Sequence, residues 1–162
     1  MIYLRLAKEE DMSLVLSWRN NPQVYQGMYS QPKEVNPVID WETHSKWWHS
    51  RNQDWREFLI MLNDGVVERP IGVITVTQLD YWSPEIGSFI GNSRDWGKGY
   101  AKQALLQAIE YIKEYARTHP HITHVRTTVV EGNEGGLKSY QSVGFEVMCK
   151  AREGELLLQR KI

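Results

Sequence analysis

Gly97 and Gly99, set one residue apart between an apolar run and a long amphipathic segment, are the residues of this chain best suited to binding chemistry. The stretch Ile86 to Ala101 reads as a strand, a glycine-punctuated turn and the start of a helix. In that helix Ala101, Ala104, Leu105, Ala108, Ile109, Ile112, Tyr115 and Ala116 recur at helical spacing. Unpaired amides in a helix's first turn, with the positive end of its dipole, favour a phosphate or pyrophosphate, and glycines remove the side chains that would keep it away. The expected anion site is therefore the amides of residues 97 to 101. No Gly-Lys-Ser/Thr ending is present, which disfavours a Mg-nucleotide loop. A third glycine and repeated βαβ units are also lacking, which disfavours a dinucleotide site.

A second constellation lies downstream, from Val129 to Phe145. It reads as a strand, a loop at Asn133, and a short helix with Leu137, Tyr140 and Val143 facing inward. Gly144 follows where a left-handed cap is expected. Together the two segments resemble the GNAT superfamily of N-acetyltransferases, whose cofactor turn reads Gln/Arg-x-x-Gly-x-Gly/Ala and whose later segment reads Asn-x-x-(Ala/Ser)-x-x-x-Tyr-x-x-x-Gly-Phe. Trp96 stands in place of the usual Gln or Arg, as in the branch containing the ribosomal-protein N-terminal acetyltransferases. Aligning Arg94 instead would start the helix two residues earlier; the Trp96 register is preferred. Gly135 and Gly136 replace small residues of the second motif.

The resemblance implies an α/β single-domain GNAT fold, with a mixed, mostly antiparallel sheet splayed between its fourth and fifth strands and flanked by helices. It also implies acetyl-CoA as cosubstrate, held by Trp96, Gly97, Lys98, Gly99, Tyr100, Ala101, Asn133 and Lys138, with the backbone of Phe89 and Ile90 free for the pantetheine and thioester. Acetyl would pass directly to a primary amine, and Tyr140 would protonate the leaving sulfur. Packing on the short helix is the alternative role for Tyr140, and helix capping the alternative for Asn133.

Glu85, at the start of the fourth strand, is the first choice of general base. His44 and His49, on a helix that walls the acceptor site in relatives, are the alternatives. His119, His121 and His124 cluster near Pro120 without an acidic or cysteine partner at ligand spacing, so no metal is expected. Cys149 is expected to be a buried strand residue, since no Cys-His pair surrounds it.

The elements that must position these residues follow from periodicity and turn chemistry. Ile2 to Leu6 alternates as a strand, and Met12, Val15, Leu16 and Trp18 mark a helix behind Lys8-Glu9-Glu10-Asp11. Prolines 22, 32 and 37 punctuate a partly looped segment, and Asp40 offers an N-cap for a helix to about Arg51. Strands are expected at Phe58–Leu62, Ile71–Leu79, Glu85–Gly91 and His124–Val130, with a closing hairpin of Phe145–Lys150 and Glu155–Gln159. The order is β-α-α-β-β-β-α-β-α-β-β.

The acceptor is argued from the first 60 residues. Trp18, Trp41, Trp47, Trp48 and Trp55 are five of the chain's seven tryptophans, enough for a flat platform under a sugar or nucleobase, with Arg19, Arg51 or Arg56 available for a phosphate. The same rings also fit simple packing of the helices onto the sheet. Trp18-Arg19-Asn20-Asn21-Pro22 followed by Met28-Tyr29-Ser30 resembles the nucleotide-sugar amino N-acetyltransferases of the pseudaminic acid pathway. That resemblance implies a nucleotide-linked amino sugar walled by Arg19, Asn20, Met28, Tyr29, His44 and Trp48. A protein or peptide N-terminal acetyltransferase is the alternative, and a non-catalytic CoA-binding regulator is the alternative from another class.

Composition fits one domain over residues 1–162: 41% of residues are hydrophobic and 24% charged. A net charge of −1 gives no global attraction to nucleic acid or an anionic membrane. The single cysteine, with no signal-like N-terminus and no run long enough to span a bilayer, leads to the expectation of a cytoplasmic protein, monomeric or homodimeric.

Overall fold

The computed structural model describes residues 1–25 and 38–162. Its elements run β1 (Ile2–Leu6), α1 (Met12–Arg19), α2 (Pro22–Tyr25), α3 (Trp41–Ser50), β2 (Arg56–Asn63), β3 (Glu68–Thr77), β4 (Glu85–Ile90), α4 (Tyr100–Ala116), β5 (His124–Val130), α5 (Glu134–Ser142), β6 (Glu146–Arg152) and β7 (Glu155–Lys161). Short 3-10 turns at Glu9–Asp11 and Ser93–Asp95 precede α1 and the glycine turn. The expected element order is present, with α2 added. Met28 and Tyr29 lie outside the described residues.

All seven strands form one sheet in the order β1-β2-β3-β4-β5-β7-β6. Every neighbouring pair is antiparallel except β4 and β5, which are parallel and meet in a single ladder pair, Glu85 with Arg126. Beyond that pair the two strands diverge, which is the splay expected between the fourth and fifth strands.

Alternation of side chains divides the core between the two faces of the sheet. On one face, Phe58, Ile60, Ile74, Val76, Ile86, Val125, Val129 and Leu158 pack on Ala104, Leu105, Ala108, Ile109 and Ile112 of α4 and on Tyr140 of α5. Those α4 positions are the apolar stripe read from the sequence, and all are at most 1% exposed. On the other face, Leu59, Met61 and Val73 pack on Val15, Trp18 and Phe89, which seats α1 over the middle of the sheet.

The strand ends differ from the sequence reading in physically instructive ways. β3 begins at Glu68 rather than Ile71, because a bulge opposite Ile60 and Met61 admits Pro70, which has no amide to donate, into the ladder. The same strand stops at Thr77, since Gln78 turns into the left-handed region at φ 59°. At Gly72 the two strands leave no room for a side chain: a Cβ there would come within 2.3 Å of the Phe89 carbonyl oxygen.

Cys149 is exposed, contrary to the expectation of a buried strand residue. The cause is topological. β7 pairs with β5 and leaves β6 at the sheet edge, where every one of its residues is exposed.

Candidate active site

The glycine turn takes the form that anion binding requires. Gly97 and Gly99 have φ of 72° and 80°, and a Cβ on either would meet nothing within 4 Å, so the space before the turn is open. Gly99 is the N-cap of α4, and the first intrahelical bond runs from the Gln103 amide to the Gly99 carbonyl at 3.2 Å. The amides of Tyr100, Ala101 and Lys102 therefore precede the helical ladder and point outward. α4 begins at Tyr100, where the Trp96 register places the helix start. The Trp96 indole N–H donates to the Ile90 carbonyl at 3.2 Å and ties the turn to the end of β4.

A buried acid that the sequence reading missed holds this turn from beneath. Asp95 is 2% exposed and accepts two hydrogen bonds from the Arg69 guanidinium, at 2.7 and 3.0 Å. The Arg69 hydrogen bonds hold the Asp95 carboxyl below the usual aspartate range, against its burial. An acid directly before a glycine turn was the available signal; its partner, 26 residues upstream, had none.

The opening between β4 and β5 presents backbone from one strand and side chains from three elements. The Gly91 amide donates to the Ile71 carbonyl at 2.8 Å, so alternation turns the backbone of Phe89 toward β3 and that of Ser88 and Ile90 toward the opening. Of the two residues expected to offer free backbone there, Ile90 turns its amide to the opening, while its carbonyl accepts from the Trp96 indole. Phe89 contributes its ring to the opposite side of the sheet, and Ser88 takes its place on the opening.

Tyr140 reaches into the same divergence. Its hydroxyl lies 2.9 Å from Ser88 Oγ and also interacts with Thr127 of β5. Burial raises the Tyr140 pKa above the ordinary tyrosine value, while the hydroxyls of Ser88 and Thr127 act in the opposite direction. Tyr140 thus stays protonated and aimed at the gap. Asn133 caps α5, accepting from the Gly136 amide at 3.0 Å, so the helix forms from Glu134 despite two glycines.

Glu85 sits where β4 and β5 last touch, and its carboxylate pairs with Arg126 at 3.6 Å. The Arg126 guanidinium also donates to the Gln78 side chain and lies 5.0 Å from the Tyr81 ring. Beside this junction a cleft of about 470 Å³ is lined by Asn52, Asp54, Gln78, Asp80, Tyr81 and Arg126. Glu85 keeps 37% of its side chain exposed.

On the face carrying α1 and α3, a buried polar cluster forms around a second acid absent from the sequence reading. Glu57 of β2 is 4% exposed and pairs with both Arg51 and, at 3.6 Å, Arg19. Arg19 lies 4.8 Å from the Trp47 ring and 5.7 Å from that of Phe89, and Arg51 lies 3.8 Å from Trp48. His44 is 2% exposed within the same aromatic wall. Burial, seconded by Arg19, pushes its pKa down and keeps it neutral; burial likewise pushes Glu57 up and Arg51 down. A lone carboxylate inside the apolar run Phe58 to Leu62 and its flank was the signal for Glu57.

The other expected wall residues divide. Trp48 is buried in this cluster. The Asn20 amide is committed to both backbone groups of Ile39, at 2.7 and 2.9 Å, and joins the end of α1 to the segment before α3. His49, the alternative base, is an exposed residue bonded to Glu9 at 2.8 Å. Lys138, on α5, is exposed beyond Asn133.

The family model described as "Acetyltransferase (GNAT) domain" matches residues 2–146. The chain belongs to this family. An uncharacterized protein of Methanocaldococcus jannaschii is 31% identical over 162 residues, covering 98% of this chain but 31% of that protein. The GNAT chain described here thus spans about a third of that curated relative. Among solved structures, a domain from M. jannaschii aligns at TM-score 0.86 and 28% identity over 100% of this chain and 99% of its own. Spermidine N-acetyltransferase from Vibrio cholerae, in complex with CoA and spermine, aligns at TM-score 0.79 and 16% identity over 99% of this chain and 94% of its own. No helix among the described residues is long and apolar enough to cross a membrane.

Proposed function

We propose that this chain transfers acetyl from acetyl-CoA to a primary amine, and that the amine belongs to a nucleotide-linked amino sugar. The observation that carries the transferase reading is the Tyr140 hydroxyl, a proton donor held 2.9 Å from Ser88 inside the divergence of β4 and β5. Family membership and the likeness to a CoA-bound polyamine acetyltransferase support it.

The residues fit the cosubstrate at three points. The amides of residues 97 to 101 take the pyrophosphate in open space in front of Gly97 and Gly99. The Ser88 backbone and the Ile90 amide take the pantetheine arm along the edge of β4 that faces the opening. Acetyl-CoA supplies an activated acetyl thioester. Glu85 removes a proton from the attacking amine, directly or through water, as the new C–N bond forms. Tyr140 delivers its proton to the sulfur as the C–S bond breaks.

The sugar-nucleotide acceptor rests on the tryptophan-rich face of α1 and α3 and on the short resemblance at residues 18–22. A diphosphate-linked sugar offers an aromatic base for stacking, worth about 1–3 kcal/mol. The test is a panel of amines with acetyl-CoA, read as free thiol release, containing nucleotide-linked amino sugars, polyamines and peptides with free N-termini. The expected result is fastest release with a nucleotide-linked amino sugar. Faster release with peptides would replace that acceptor by a protein N-terminus, and release with no amine would overturn the transferase reading.

A further inference from the structure

We propose that Arg19 and Arg51, balanced by Glu57, form an oxyanion subsite that binds an anionic group carried by the acceptor. The inference rests on the transferase reading only in assigning the anion to an acceptor.

Two guanidinium groups and one carboxylate are gathered against the rings of Trp47, Trp48 and Phe89. The side chains of Arg19, Arg51 and Glu57 are 13%, 16% and 1% exposed. Among the described residues, Glu57 is the carboxylate in ion-pair reach of both arginines. His44 is held neutral. The cluster is therefore net positive whether or not Glu57 carries its charge, in a place where an uncompensated charge is costly. A structural ion pair would need one arginine.

The second observation is the location of unsatisfied polar atoms. Among the described residues, the buried side-chain nitrogens and oxygens without a hydrogen-bond partner are Arg19 Nε, His44 Nε2, Trp55 Nε1 and Glu57 Oε1. All four belong to this one cluster or its rim, since Trp55 packs edge-on against Trp47. Buried polar atoms are paired almost everywhere in proteins, so the orphaned donors Arg19 Nε and Trp55 Nε1 mark a site that is completed by binding, while Glu57 Oε1 faces the Arg19 guanidinium at 3.6 Å. Arg19 Nε and Trp55 Nε1 are donors and the cluster is cationic, so the completing group is an oxyanion.

The location suits an acceptor group. Phe89, which lies under Arg19, belongs to β4, the strand that carries Glu85 at its start and borders the opening that takes the thioester. A net-positive acceptor face also separates this chain from an enzyme built for polycations, such as the spermidine acetyltransferase it resembles in fold.

The experiment uses the full chain saturated with CoA, so that the glycine turn is occupied, and reads tryptophan fluorescence during titration with sodium pyrophosphate and, separately, sodium acetate. Trp47 lies against both arginines and Trp48 against Arg51, so their fluorescence reports occupancy. Arg19→Gln is expected to weaken binding about tenfold or more, the loss of one charge-assisted contact. Glu57→Gln, which raises the positive charge at nearly constant volume, is expected to tighten it about threefold or more. Opposite signs from two neighbouring substitutions are what a merely structural cluster would not give. The more tightly bound titrant identifies the oxyanion as phosphate or carboxylate.

Thermal melting with and without CoA checks that each variant folds; Arg51→Lys, expected to weaken binding, replaces Arg19→Gln should that variant not fold, and Glu57→Ala, expected to tighten it, replaces Glu57→Gln. Equal affinities in wild type and both variants, or shifts of the same sign, overturn the subsite. A protein that shows the opposite shifts but releases no thiol with any amine keeps the subsite and loses the transferase reading. One that acetylates amines while both variants titrate like wild type loses the subsite alone.

Discussion

Asp95→Asn removes one charge from beneath the glycine turn and changes almost nothing in volume. In the wild type the carboxylate is 2% exposed and accepts two charge-assisted bonds from Arg69, whose side chain is 33% exposed. Such bonds contribute roughly 1.5–3 kcal/mol each when buried, but Arg69 regains water when its partner is lost, so a net cost of about 2 kcal/mol is expected. For a domain of this size that corresponds to a melting temperature lower by about 4–8 °C. The turn from Trp96 to Gly99 then loses its anchor, and re-ordering even one of its residues on binding costs about 1–2 kcal/mol, close to tenfold in CoA affinity. The pH dependence has a definite sign. Asp95 has a carboxyl held below its usual value, so its contribution is fully present above the unfolded aspartate value of about 3.9 and is lost as pH falls through the folded one. The stability gap between wild type and Asp95→Asn should therefore close below about pH 4. Denaturant melts at several pH values, with calorimetry of CoA binding at pH 7, provide the measurement. An Asp95→Asn protein as stable as wild type at pH 7, or one that binds CoA with unchanged affinity, would refute the anchoring role.

Two further substitutions test the cosubstrate site. Tyr140→Phe should lower turnover by about 100- to 10,000-fold at saturating substrates with CoA affinity near wild type; full turnover would return Tyr140 to packing. Gly99→Val places a β-branched residue at φ 80°, where a side chain costs about 1–2 kcal/mol, and projects it into the open space before the α4 amides. CoA binding measured by calorimetry should fall far more than stability measured by melting, and unchanged affinity in the folded variant would remove the pyrophosphate from this turn.

The parts of the site that the sequence made legible are the ones encoded locally. Gly97, Gly99, Asn133 and Tyr140 stand in short segments whose turn and cap chemistry depends on near neighbours, and the structure gives them the conformations that chemistry requires. The α4 stripe was legible for the same reason. The missed residues all draw their meaning from a partner far along the chain. Asp95 needs Arg69, Glu57 needs Arg19 and Arg51, and Ser88 needs Tyr140, 52 residues away. A periodicity read along one strand does not say which strand lies beside it, and Cys149 shows this most simply. The hairpin of β6 and β7 was visible, but whether β6 or β7 joins β5 decides which strand is the edge.

Phe89 and Ser88 carry the same point into the chemistry. Which of two adjacent residues offers its backbone to the opening depends on the parity of the β3–β4 ladder, and a shift of one residue would exchange them. With Gly91 bonded to Ile71, Ser88 turns its backbone to the opening and its side chain to the α5 face. The opposite parity would place the Phe89 ring against α5 and leave Ser88 on the α1 face, out of reach of Tyr140. Gly72 secures the observed parity, because its missing Cβ is what allows the Phe89 carbonyl to lie against β3. The Tyr140 hydroxyl thus meets Ser88 in a register that Gly72, on the neighbouring strand β3, permits.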